Sequence, residues 1–146
     1  MKRLLSVYLV ALFVATTLSA EWFTQKEEIR LKKDEQKKIL VKYDDKKKLF
    51  VFRWTLYKNG GLVMFRVYDK IVAQNVLYLR YQNESFRFDL KNRSLDAYEV
   101  PYILVKFKEF DDVKKEAVFD LFLFDKKKQV ELEFLKNELK RDNAKS

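Results

Sequence analysis

Asn59-Gly60, flanked on both sides by alternating apolar and polar residues, constrains the fold of this chain more than any other feature. A two-residue type I′ turn needs φ > 0 at both central positions, and Asn-Gly meets that need at low steric cost. The surrounding stretch, LFVFRWTLYKNGGLVMFRVYDKIVAQNVLYLRYQNESFRFDL over residues 49–90, reads as two β-hairpins in series. In the first, Leu56 is expected to face Val63, Trp54 to face Phe65 and Phe52 to face Val67, on a wholly apolar side. The opposite side pairs Tyr57 with Leu62, Thr55 with Met64 and Arg53 with Arg66. The second hairpin is expected to turn at Gln82-Asn83-Glu84-Ser85, so that Tyr81 faces Phe86, Leu79 faces Phe88 and Leu77 faces Leu90. Its polar side sets Arg80 against Arg87 and Tyr78 against Asp89.

This register gathers Arg53, Arg66, Arg80 and Arg87 on one sheet face, with Tyr57, Tyr68 and Tyr78 among them. Like charges directly opposite one another cost stability. One reading is a solvated face whose long stems cover aromatic rings. The sharper reading is an arginine platform for an anionic partner, because guanidinium forks match carboxylate and phosphate.

The remaining segments extend the same pattern. Thr24-Gln25-Lys26-Glu27 fits a helix capping box, but Ile29 and Leu31 alternate, so residues 21–36 are of mixed character with a short edge strand as the preferred reading. Ile39 to Tyr43 alternates as a strand, and Asp44 to Lys48 is a polar turn. Residues 91–101 form the longest connection and end at Pro101, which disfavours a central strand there; the chain is expected to cross between sheets at this point. Strands follow at 102–110, 117–124 and 129–135. The last two are expected to pair Phe119, Leu121 and Leu123 with Phe134, Leu132 and Val130, leaving Asp120, Glu131 and Glu133 as an acidic patch for self-association. The expected fold is an all-β antiparallel domain over residues 37–135, of about eight or nine strands. A β-sandwich is favoured over a small closed barrel. Residues 136–146 read as a polar, flexible tail.

The N-terminus bears on compartment. Lys2 and Arg3 precede an apolar run and then Thr-Thr-Leu-Ser-Ala, the plan of a secretory signal peptide over residues 1–20 with cleavage after Ala20. The apolar run is too short for a comfortable transmembrane helix, so no span is expected in the mature chain. Export to a bacterial periplasm is the first expectation, and full secretion the alternative. Beyond residue 20 the chain holds 29 Lys and Arg against 22 Asp and Glu, a net charge of +7. An exported domain of that charge favours an acidic envelope protein or an anionic envelope polymer or glycolipid. Nucleic acid fits the charge but not the export signal. In a strict up-and-down order, loops 44–48, 69–75, 91–101 and 125–128 share one end with a net +3, while loops 58–61, 82–85 and 111–116 share the other with −1.

Chemistry is limited. The chain has no His and no Cys, which removes the usual general base, the thiol nucleophile and the soft metal ligands. Its two glycines are adjacent and cannot build a phosphate loop. No cofactor, metal site or catalytic residue is expected. Asn83-Glu84-Ser85 and Asn92-Arg93-Ser94 match the short glycosylation sequon, and Asn83 is better explained as a turn residue. No motif carries a family resemblance. The leading expectation is therefore a non-enzymatic, exported binding or assembly module, with homo-oligomer formation open. The alternative is a small β-barrel carrier whose apolar ligand lies among Phe50, Phe52, Trp54, Phe65 and Phe88. An outer-membrane barrel is a third reading; short strands, a polar C-terminus and lysine in nearly every turn speak against it.

Overall fold

A computed structural model describes residues 23–92 and 100–139. The signal segment, most of the 91–101 connection, the second sequon's Arg93-Ser94 and the end of the tail lie outside the described residues. The strands are β1 (Gln25–Lys32), β2 (Glu35–Tyr43), β3 (Lys46–Lys58), β4 (Gly61–Tyr68), β5 (Ile71–Tyr78), β6 (Ser85–Asp89), β7 (Tyr102–Asp111), β8 (Glu116–Phe124), β9 (Glu131–Phe134) and β10 (Glu138–Leu139). One antiparallel sheet runs β1-β8-β7-β6. The other runs β2-β3-β4-β5, with β9 and then β10 in series along the free side of β2. The architecture is an all-β sandwich, and the two sheets do not close into a barrel. No helix among the described residues is long and apolar enough to cross a membrane.

The tight turns show why β2 to β5 form a meander. Asp44-Asp45, Asn59-Gly60 and Asp69-Lys70 each have positive φ at both positions, as a type I′ turn requires. Gly61 serves differently: the Tyr78 ring lies over it, so close that a Cβ there would stand 2.9 Å from the ring and the exposed tyrosine would have to swing aside.

Between the sheets lies an aromatic core. Phe50, Phe52, Phe107 and Phe119 are fully buried. Phe52 meets Phe119 edge-on at 5.7 Å, and Phe50 meets Phe88 at 4.5 Å, joining one sheet to the other. Of the residues assigned to a barrel lumen, Phe50, Phe52, Trp54 and Phe88 are buried in this core, while Phe65 lies on the outer face of the five-position sheet.

Three expectations about connectivity fail. β5 and β6 are not a hairpin: they belong to different sheets, and the chain crosses at residues 79–84 rather than at 91–101. The 91–101 connection instead joins neighbours β6 and β7, closed by the Leu90 N–H donating to Pro101 O at 2.9 Å. Nor do β8 and β9 pair; β8 lies between β1 and β7, and β9 runs along β2. At 79–84 and 125–130 a polar link between alternating segments is an arch between sheets, which has the same local signature as a hairpin; at 91–101 the reverse holds, and a long link joins neighbours in one sheet.

The first hairpin holds near its turn, with Lys58 opposite Gly61, Tyr57 opposite Leu62 and Leu56 opposite Val63. A bulge then intervenes at Thr55, after which Trp54 faces Met64, Arg53 faces Phe65 and Phe52 faces Arg66. An extra residue in one strand exchanges the faces beyond it. Hence Phe52, Trp54 and Tyr57 face inward while Leu56 faces solvent, and on β4 the inward residues are Leu62, Met64, Arg66 and Tyr68.

Candidate functional site

The bulge at Thr55 and the arch at 79–84 together dismantle the expected arginine platform. Arg53 stands on the outer face of the five-position sheet, 5.8 Å from the Phe65 ring and 3.7 Å from the Asp34 carboxylate. Arg66 points into the sandwich. Its guanidinium lies over Phe86 at 4.9 Å and Phe88 at 5.5 Å, and its Nε–H donates to Asn75 Oδ1 at 3.0 Å. Burial pushes its pKa below the usual arginine value. Arg80 sits in the arch with φ of 63°, exposed. Arg87 is on the outer face of the other sheet, 3.5 Å from the Tyr102 ring centroid and 3.2 Å from Asp89. The four occupy four environments. The tyrosines scatter too: Tyr57 stacks on Phe110 inside the sandwich at 4.0 Å, and Tyr78 packs edge-on against Tyr81.

The acidic patch is likewise divided. Glu131 and Glu133 flank Lys42, each at 3.2 Å, on the β9 edge. Asp120 belongs to the other sheet, buried, with Lys26 at 3.7 Å and its Oδ1 making no hydrogen bond. Among the described residues no group of three or more acidic side chains is placed to hold a metal ion.

What the fold does assemble is a lysine-rich end. Antiparallel order sends the turns at 44–48, 69–70, 90–92 and 125–128 to the same end of the sandwich. Direct contacts tie three of them together: Lys48 reaches Asp69 at 2.7 Å, Lys91 reaches Asp44 at 3.6 Å, and Lys91 lies over the Tyr43 ring. The Lys42–Glu131 pair holds the start of β9, and so the end of the 125–130 connection, beside them. These turns carry Lys46, Lys47, Lys48, Lys70, Lys91, Lys126, Lys127 and Lys128 against Asp44, Asp45, Asp69 and Asp125, an excess of four cations among the described residues. Asp125 is buried, accepting the Val130 N–H at 2.8 Å. Lys46, Lys47, Lys70 and Lys127 are exposed, with no carboxylate partner among the described residues. The opposite end, turns 33–34, 58–61, 79–84 and 111–116, carries five cations and five anions and is neutral. Val41, Tyr43, Asp44, Lys46, Lys48, Leu90 and Lys91 line a recess of about 140 Å³ at the basic end.

Tyr68 anchors that end. It is buried, and its hydroxyl donates to Leu90 O at 2.9 Å, fastening β4 to the β6–β7 connection. Burial, then the neighbouring Asp69 and Tyr43, push its pKa up to about 12. An acid whose pKa is raised in the folded state contributes stability below its unfolded pKa of about 10 and loses it as pH climbs through the folded value. Wild type should therefore lose about 2 kcal/mol between about pH 10 and pH 12 that a Tyr68→Phe variant does not lose. At neutral pH the variant should be about 1 kcal/mol less stable, through the lost hydrogen bond. Denaturant titrations of both proteins across that range check this; a stability gap that does not close with rising pH refutes it.

Sequence reasoning placed these loops at one end from strand alternation alone, and the lysine-rich turns were its visible signal. It missed that Arg53, Arg66 and Arg87 are each engaged separately, because the aromatic rings that receive Arg66 and Arg87 come from non-local strands. Comparison with protein families, with curated proteins and with solved structures finds no match to this chain.

Proposed function

We propose that the chain is an exported, non-enzymatic binding or assembly module that holds an anionic envelope partner against its lysine-rich end. The observation that carries this reading is the gathering of four lysine-bearing turns at one end of the sandwich, against a neutral opposite end. Lysine ammonium groups on flexible stems act as mobile point charges. They suit a polyanion of irregular geometry, such as a phosphorylated glycolipid, an anionic wall polymer or an acidic protein surface, better than a single shaped ligand. Export rests on the pattern of residues 1–20, and recovery of the uncut chain from the cytoplasm alone would remove it.

Replacing Lys46, Lys47, Lys70 and Lys127 together by Gln tests the reading. All four side chains are exposed, so the melting temperature should stay close to wild type. Binding to vesicles bearing phosphorylated glycolipid, to anionic wall polymer and to envelope extract should fall at low salt. The residual binding should depend less on salt than that of wild type, because fewer screened charges remain. A comparison set with Arg53 and Arg80 changed to Gln should leave binding nearly intact. Equal binding of wild type and the quadruple variant to all three targets overturns the proposal.

A further inference from the structure

We infer that the chain self-associates through the open edge of β5, forming a two-fold dimer in which the five-position sheets of two copies join into one continuous antiparallel sheet. Among the described residues the sandwich has four sheet edges. Three carry charges within the strand: Lys26, Glu27 and Glu28 on β1, Arg87 and Asp89 on β6, Glu131 and Glu133 on β9. Charges on an edge are the usual protection against pairing with another chain. The fourth edge, β5, reads IVAQNVLY, with no charge, no proline and no bulge against β4. In a chain that is 36% charged, eight consecutive uncharged residues on an edge are conspicuous. Ile71 and Val72 are each 68% exposed there.

The backbone shows how the edge is used. Tyr68 and Ile71 close the two-residue turn at Asp69-Lys70, so Ile71, Ala73, Asn75 and Leu77 bond to β4. Val72, Gln74 and Val76 turn their N–H and C=O groups outward. The end of the edge is occupied: the Tyr78 N–H donates to Asn83 O at 3.3 Å, and the Asn83 amide approaches Val76 O at 3.5 Å. The open part is thus centred on Gln74. A two-fold axis there sets Gln74 against Gln74 of a second copy and Val72 against Val76, with about four backbone hydrogen bonds across the seam that leave the Val76 carbonyl to Asn83.

The side chains fit a second copy in particular. Val72 and Val76 lie on the outer face, beside Val67 and Val63 of β4, and across the axis they would meet each other as apolar pairs. Isologous pairing needs a surface that complements itself, and this strand meets the requirement. An uncharged element also lowers the repulsion between two copies of a strongly basic chain, and among the described sheet edges β5 alone provides one. The inference is independent of the lysine-rich end: loss of polyanion binding in the lysine variant leaves the dimer intact, and loss of the dimer leaves the lysines in place.

Sedimentation equilibrium of the full chain should show a concentration-dependent dimer. Gln74→Lys and Gln74→Glu, each placing like charges opposite one another at the axis, should each raise the dissociation constant at least roughly tenfold. Mixing the two variants should restore association. The chain lacks cysteine, so Gln74→Cys under mild oxidation should give a disulfide-linked species of twice the chain mass, while Val113→Cys, at a turn on the opposite end, should not. This cross-link reads the seam even where a charged variant is poorly folded. A monomer at all concentrations, association untouched by either charge, or failure of both the mixture and the cross-link overturns the inference.

Discussion

Trp54→Ala should cost about 3–5 kcal/mol of folding stability, the range for deleting a large aromatic from a core. Trp54 is 4% exposed, and its position in β3 makes it a joint between the sheets. Its indole N–H donates to Leu31 O of β1 at 2.8 Å, a buried bond into the other sheet. Its ring meets Phe110 of β7 edge-on at 5.5 Å. Its own carbonyl accepts the Asp34 N–H at 2.9 Å, pinning the turn through which the chain passes from β1 to β2. The substitution removes packing and a cross-sheet hydrogen bond together. Trp54→Phe should fall between wild type and the Ala variant, since it keeps an aromatic ring and loses the donor. Chemical denaturation of the three proteins gives the order. A loss below about 1 kcal/mol for Trp54→Ala would mean that this position is not a core position.

The burial of Trp54 and Phe52 was legible in the sequence; the reach of their apolar face was not. Period-two alternation through Phe52, Trp54 and Leu56 looks unbroken, yet Thr55 is inserted between the last two. On β4 both faces are apolar over much of the strand, so alternation alone could not choose between them. Assigning arginine outward placed Val63, Phe65 and Val67 inward, and the structure does the reverse. What decides the matter is a pair of rings, Phe86 and Phe88, that arrive from the opposite sheet and lie against the Arg66 guanidinium. Cation–π contact and one amide hydrogen bond offset the desolvation of a half-buried charge. Asn75 lies nine positions away on the neighbouring strand, but the two rings lie 20 and 22 positions away on the opposite sheet, and no local window contains them.

Turn chemistry divides in the same way. Asn59-Gly60 was readable because it combines the two residue types that tolerate positive φ best. Asp44-Asp45 and Asp69-Lys70 adopt the same backbone with weaker residues, held by the register of the strands they join. The arches at 79–84 and 125–130 were misread because reversal between alternating segments says only that the chain turns. Whether the next strand bonds to the last one or leaves for the other sheet is decided by which partners are available at each edge. The collection of loops at one end survived these errors. It depends only on strands alternating in direction, which hairpins and arches alike preserve.

Single-residue deletions in β3 should separate sharply on either side of Trp54. Deleting Thr55 removes the extra residue and leaves Phe50, Phe52 and Trp54 inward, Leu56 outward and Tyr57 inward, in unbroken alternation against β4. The cost should be limited to lost local twist, about 1 kcal/mol, because no core side chain changes face. Deleting Arg53 shortens the strand by the same amount with a different result. To keep Phe50, Phe52 and Tyr57 inward, the bulge must dissolve so that Thr55 turns inward and Trp54 turns out. The core then exchanges an indole for a hydroxyl-bearing side chain less than half its size. Keeping Trp54 inward would instead expel Phe52 and Phe50, both fully buried. Either route should cost at least the roughly 3–5 kcal/mol expected for Trp54→Ala. Fluorescence adds a readout that stability lacks: the Trp54 emission should remain that of a buried indole in the Thr55 deletion and shift towards that of an exposed one in the Arg53 deletion. Trp22→Phe in every protein leaves Trp54 as the sole indole. Equal losses from the two deletions would mean that Thr55 is not the inserted residue and that the face exchange along β3 has another origin.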